Sequence, residues 1–415
     1  MFTDATQQQI LLGIFGAVLT ALFLGGFYLT RLRTSQMWTI VVTPLASIIG
    51  SGFLVVAPLL YTNFGSAALP AIIFINLFAL GVGLVIRTNI KYFEPLLENE
   101  HGGRFVLLTE RLSNVALGIS YVISIAFYIV LLSSFALELF GLRDLLMIRL
   151  LTTSILAFIG LFGFLRGLHG LESLEKIAVN VKLSIIGALV LIMASANLLL
   201  IRDGGSAPAE DAMQLGVHGL QILGGMLLIT QGFETARYLG HDYSRKDRAR
   251  ALLIAQLIAT VIYILFVALA QPFSGITGET TETAIIKLVG AVAVGLPVVL
   301  SLAAIFSQFG AGVADTIGTG GILEEESRGK IQRRKGYLII AALAILLIWV
   351  MDVFQVLTLA SRAFAIYYGL QAIIATIVTW RHPQPSPWRR AIKLTLFPSL
   401  AILLFLIAIF AIPAH

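Results

Sequence analysis

The chain has 415 residues, of which 58% are hydrophobic and only 12% charged, and its mean hydropathy is +0.94. An average soluble domain is about half apolar and one quarter charged, so water is not the solvent for most of this chain. The net charge of +6 falls in short connections between apolar runs, where membrane orientation explains it without nucleic acid, and the absence of Cys excludes disulfides and thiolate metal sites.

A helix that crosses a bilayer needs about 20 mostly apolar residues. Taken in chain order, such runs predict twelve helices, at 10–30, 37–60, 67–87, 115–140, 150–165, 176–200, 218–240, 250–271, 285–313, 336–351, 353–380 and 389–412. Met1–Gln9 carries no basic residue and no small-residue cleavage site follows the first run, so that run reads as a retained helix rather than a signal peptide. Connections after the odd-numbered runs hold most of the basic residues, among them Arg31, Arg87, Arg104, Arg166, Arg245 and Arg334. Short basic loops stay in the cytoplasm, so both termini are expected outside. None of the Asn residues opens an Asn-x-Ser/Thr acceptor, in keeping with a prokaryotic inner membrane.

Runs two to six occupy 37–200 and runs seven to eleven occupy 218–380, two blocks of nearly equal length. Five is odd, so the second block enters from the side opposite to the first, as an inverted-topology repeat requires. The expected organisation is an accessory N-terminal helix within 1–36, a first five-helix repeat (37–200), an external linker (201–217), a second repeat (218–380) and an accessory C-terminal helix within 381–415.

The chemistry is expected where these helices break. In the second run, Ile49-Gly50-Ser51-Gly52-Phe53 falls near the bilayer midplane, and in the seventh, Ile229-Thr230-Gln231-Gly232-Phe233-Glu234 falls at a matching depth. An interruption in hydrocarbon frees backbone N–H and C=O groups, which is tolerated only where protein or a water-filled cavity satisfies them. Freed N–H groups suit a carboxylate and freed carbonyls suit an ammonium or a metal cation. The competing reading is that these are small residues that let helices pack closely.

These two motifs resemble the first- and sixth-helix motifs of the amino acid–polyamine–organocation (APC) transporter superfamily, and the resemblance covers the core, runs two to eleven. It implies an all-α integral membrane fold, a five-plus-five inverted repeat with discontinuous first and sixth core helices. It also implies that Ile49, Gly50, Ser51 and Gly52 hold a substrate carboxylate, that Ile229, Thr230 and Gln231 beside Gly232 hold its amino group, and that Phe233 closes over it. The chain departs from the family pattern in the extra first run and in the continuation Thr235-Ala236-Arg237-Tyr238 after Glu234.

Lys182, Arg362 and Glu234 are charges inside predicted spans that invite a functional reading. Lys182 sits about 10 Å into the sixth run, where it either snorkels to headgroups or faces inward. It resembles the lysine that stands in place of a sodium ion in sodium-independent members of the superfamily, which implies proton-coupled or exchange transport. Arg362 is expected near the midplane, with Glu234 or a substrate anion as its partner. Glu234 is also three residues from Arg237 and could pair with it locally.

No His-Glu-x-x-His pair and no Gly-x-x-x-x-Gly-Lys loop occurs, so neither an enzyme nor an ATPase is indicated, and no cofactor or metal is expected. The expected function is secondary transport of an amino acid or related amine, with membrane lipid and protons as the other partners. Potassium or another inorganic cation on the same scaffold is the first rival, and a channel or a non-transporting scaffold or sensor is the second.

Overall fold

The computed structural model describes residues 4–29, 35–50, 52–98, 103–202, 216–238, 243–276, 283–382 and 386–413. Among them every regular element is a helix. Eight of these helices are long and apolar enough to cross a membrane. Their outward faces are rows of Leu, Ile, Val and Phe, which only lipid solvates well, so the chain is a multi-pass membrane protein.

Chain order begins with α1 (Asp4–Leu29), then α2 (Gln36–Ile48) and α3 (Gly52–Phe64), which together replace the single second run. Next come α4 (Ala68–Thr88), a π turn at Asn89–Phe93, α5 (Glu94–Glu98) and α6 (Arg104–Glu138). Helix α6 starts well before the expected residue 115; Arg104, Glu110, Arg111 and Asn114, the polar residues that hid this stretch from a hydropathy reading, line a cavity there. Helix α7 (Leu145–Arg166) is a full span although its most apolar stretch is short; the Asp144 side chain accepts from the Met147 N–H at 2.9 Å and caps its start. Helix α8 (Leu168–Arg202) follows.

The seventh run is α9 (Val217–Gly225), a 3₁₀ turn at Leu227–Thr230 and a short α10 (Thr235–Tyr238). After α11 (Arg245–Ala270) the ninth run is also divided, into α12 (Ala284–Val292) and α13 (Leu296–Glu326). This third break is a departure from the single helix expected at 285–313. Ala293 is extended, Gly295 is left-handed at φ 82°, and a proline falls in the first turn of α13, so the chain ends one helix and starts another there. Helices α14 (Arg333–Val350), α15 (Val353–Arg381) and α16 (Pro387–Phe410) complete the chain.

Helix α6 is the centre of the packing, with α13 and α15 against it. Helix α2 lies on α11, while α1 packs on α8 and α16 on α15. Tyr121, Ser124 and Tyr128 are spaced three and four apart on α6, so they share a face, and all three are buried.

Candidate functional site

The first interruption is short. Helix α2 closes with the Ile49 N–H on the Leu45 carbonyl at 2.9 Å and the Gly50 N–H on the Ser47 carbonyl at 3.0 Å. Those two amides are engaged by the helix end, so of the four residues expected to hold a carboxylate, Ile49 and Gly50 do not offer free N–H groups in this conformation. Ser51 lies outside the described residues. Gly52 opens α3, whose first amides have no partner within their own helix and carry the positive end of its dipole.

The second interruption is longer and polar. Gln231–Glu234 belongs to no helix, and Gly232 adopts φ 120°, a region that side chains avoid. The two interruptions touch. A Cβ on Gly52 would run into the Ile229 backbone, and a Cβ on Gly232 would run into Ser47. Both expected breaks therefore exist and face each other, and their glycines are needed first for backbone-to-backbone approach.

Beside this crossing, Glu234 is fully buried. The Tyr368 hydroxyl donates to its Oε2 at 2.6 Å and the Tyr121 hydroxyl to its Oε1 at 3.1 Å. The Gly232 N–H in turn donates to the Tyr368 oxygen at 3.3 Å, and Gln231 Nε2 donates to the Tyr128 hydroxyl at 3.1 Å. The Phe233 ring lies 5.5 Å from that of Tyr368, while Thr230 Oγ1 is buried without a hydrogen-bond partner among the described residues. A carboxylate and an amide are thus collected on one irregular segment and oriented by three tyrosines from α6 and α15, with the Thr230 hydroxyl beside them.

The expected pairings of Glu234 are not the observed ones. Arg237 turns away from it, to Glu110 at 2.8 Å and Glu94 at 3.7 Å. Arg248 joins the same layer through Glu94 at 2.5 Å, and Gln371 donates to Glu110 at 2.9 Å. The physical reason is position: Arg237 lies on α10, one turn past the break, and meets the polar end of α6 there.

Arg362 does not reach Glu234 either. Its Nε donates to the Ala411 carbonyl at 3.0 Å, and Nη2 bonds the same oxygen. Ala411 caps α16, so the guanidinium neutralises the negative end of that helix instead of serving the breaks. Lys182 is only 4% exposed, so it faces inward as the second of its two expected placements has it, and its helix packs chiefly on α13 and α1.

A cavity of about 850 Å³ opens at the end of the molecule that bears the basic connections. Its walls mix charges, with Arg104, Arg111 and Arg237 beside Glu94, Glu110 and Glu326. Arg237 and Tyr367 also line it, three residues and one residue away in sequence from Glu234 and Tyr368. The Arg237–Glu110 pair thus lines the cavity, close in sequence to the buried cluster. Among the described residues no group of three or more His, Asp or Glu could hold a metal ion.

Tyr121, Tyr128, Tyr368 and Glu110 belong to this arrangement and were not singled out by sequence reasoning. A weak signal existed in the seven-residue spacing of Tyr121 and Tyr128 and in the adjacent pair Tyr367-Tyr368 within apolar runs.

The chain resembles known proteins over most of its length. It is 42% identical over 364 residues to a protein of Aquifex aeolicus (strain VF5) named only as uncharacterized, covering 86% of this chain and 88% of that one. The crystal structure of the Eremococcus coleocola manganese transporter, in complex with an aromatic bis-isothiourea substituted compound, matches with a TM-score of 0.57 at 13% identity, over 89% of this chain and 84% of that one. At that identity the likeness is one of fold, and the fold is that of a LeuT-type transporter. The family profile of APC superfamily transporters matches residues 30–411, which agrees with the interrupted helices just described. The chain belongs to the APC superfamily of transporters.

Proposed function

We propose that the protein moves an amino acid or related amine across the membrane by alternating access, independently of sodium and coupled to protons or to an exchanged solute. The observation that carries this reading is the pair of touching interruptions beside Glu234, a buried carboxylate held by two tyrosine hydroxyls with no ion pair to it among the described residues. The amides that open α3 suit a substrate carboxylate, while Glu234, Gln231 and the Thr230 hydroxyl suit its ammonium. Phe233, beside Tyr368, is placed to cover it. The charged cavity then serves as the vestibule, and the Arg237–Glu110 layer closes it off from the substrate in this conformation.

In this reading 37–200 and 218–380 are the inverted five-helix repeats, α1 and α16 are accessory, and 201–217 is external. The protein resides in the inner membrane with both termini outside and the vestibule facing the cytoplasm, as the basic connections favour. Sodium independence rests on Lys182. Replacing sodium by choline at fixed pH is expected to leave uptake unchanged; a dependence on sodium would overturn that assignment.

A second reading, transport of an inorganic cation, draws on the structural neighbour's being a manganese transporter. Glu234 is the one carboxylate on the two break segments among the described residues, which favours an amine over a divalent metal that takes several oxygen ligands. Counterflow in proteoliposomes, with labelled amino acids and polyamines against rubidium and manganese, separates the readings. Saturable exchange of an organic amine is expected. Saturable movement of a metal alone would establish the cation reading, and no saturable flux at all would establish a channel or scaffold.

A further inference from the structure

The mixed charges of the vestibule balance one another, but a second group of charges, away from the two interruptions, has a single sign. Helix α16 and the π turn at Asn89–Phe93 both pack on α15. Lys393 of α16 reaches that turn, its ammonium 5.4 Å from the centre of the Tyr92 ring. Arg87, Lys91 and Arg389 all lie near enough to repel it. Among the described residues no carboxylate pairs with Arg87, Lys91 or Arg389. Arg87 donates instead to the neutral Gln256 Oε1 at 2.5 Å, and Glu94, three residues beyond Lys91, is engaged by Arg248 and Arg237.

Four cations in one place repel one another, most strongly where water is partly excluded. Lys393 and Arg87 are half-buried, while Lys91 and Arg389 are exposed. The fold brings them together without a carboxylate to neutralise them, so the arrangement is short of an anion.

Position indicates which anion. Helix α15 ends at Arg381 and α16 starts at Pro387, so the cluster lies at the ends of two membrane spans. Trp380 and Trp388 stand out beside it, 66% and 74% exposed, and Arg390 donates to the Trp380 carbonyl at 2.6 Å, which ties the two helix ends together. Tryptophan concentrates where hydrocarbon gives way to headgroups, the depth at which basic side chains meet lipid phosphates. Ile392, next to Lys393, is exposed on α16 and gives an acyl chain a surface that a soluble anion would not use.

We propose that Arg87, Lys91, Arg389 and Lys393 form a binding site for the phosphate of an anionic phospholipid, held between the π turn and α16. The lipid supplies the missing charge and fastens α16 to the end of α4. The site is independent of the transported solute, so it stands apart from the transport reading.

The test uses the full chain, delipidated in an uncharged detergent, with thermal unfolding during titration with phosphatidylglycerol, phosphatidylcholine or inorganic phosphate. Phosphatidylglycerol is expected to raise the melting temperature of the wild type saturably by about 2–5 °C, and the other two to leave it nearly unchanged. Lys91→Gln with Arg389→Gln removes two exposed charges. Without lipid this variant is expected to melt no lower than the wild type, since repulsion is relieved, and with phosphatidylglycerol it should lose most of the gain. Lys330→Gln, an exposed cation between α13 and α14, should keep the full gain. Equal stabilisation by phosphatidylcholine, or a double variant that gains as much as the wild type, overturns the proposal. A double variant that melts lower than the wild type without lipid overturns it too, because the charges would then be serving the protein alone. Equal stabilisation by inorganic phosphate would make the ligand a soluble anion and overturn the lipid assignment. Melting needs no transport, so failure of the transport reading would appear in counterflow alone.

Discussion

The two interruptions face the same problem, freed backbone groups inside a membrane, and meet it in different ways. The first offers backbone at its described residues: the Ile49 and Gly50 amides bond back onto α2, and the Ile48 carbonyl at the end of α2 accepts from the Tyr263 hydroxyl. The second, Gln231–Glu234, brings side chains that bond the tyrosines of α6 and α15. Close approach constrains the first, while the second carries the polar side chains on which the proposed function rests. Substitutions at the first should therefore fail sterically and substitutions at the second should fail electrostatically.

The largest effect is expected at the steric crossing. Gly52→Val sets side-chain atoms against the Ile229 backbone, which cannot rotate away, so uptake should fall to background while the protein still inserts. Gly232→Ala should do the same through Ser47 and through its φ of 120°. Normal uptake by either variant would show that the two interruptions need not touch during the cycle.

Next is the carboxylate. Glu234→Gln preserves shape and removes charge, and hydrogen bonds to charged groups contribute about 1.5–3 kcal/mol, so uptake should drop by about ten- to a hundredfold in a folded protein. Initial rates in proteoliposomes measure this, and unchanged rates would remove Glu234 from the site.

The tyrosines grade the comparison more finely. Tyr368→Phe should cost more than Tyr121→Phe, because its contact with Glu234 is shorter, at 2.6 against 3.1 Å, and because it also receives the Gly232 N–H. The expected losses are about tenfold and a few-fold. The reverse order would mean that Tyr121 carries the orientation of the carboxylate.

The smallest expected effect on transport is at Arg362. Its loss unties the end of α16 and should cost about 1 kcal/mol of stability while uptake persists. Combined with Glu234→Ala the two losses should add, since the side chains share no partner. Recovery of stability in the double variant would mean that the pair does meet in another conformation.

Hydropathy and charge placement were enough for a multi-pass, all-helical membrane chain, because a bilayer imposes length and composition on each span independently of its neighbours. The two glycine-bearing motifs likewise marked two of the breaks, since a helix interrupted in hydrocarbon leaves a local signature. The break at Ala293–Gly295 was legible only in retrospect, because a lone Gly and Pro in a long apolar run are also tolerated within a helix. What tertiary structure alone decided is partnership. Sequence spacing put Glu234 near Arg237 and left Arg362 waiting for an anion, yet the packing of α6 and α15 gives Glu234 two tyrosines, sends Arg237 to Glu110 and gives Arg362 the end of α16. Each of those contacts except the neighbouring break residues joins positions more than forty apart in the chain, and the choice of partner follows from which helices pack, a property of the assembled bundle that no single span carries.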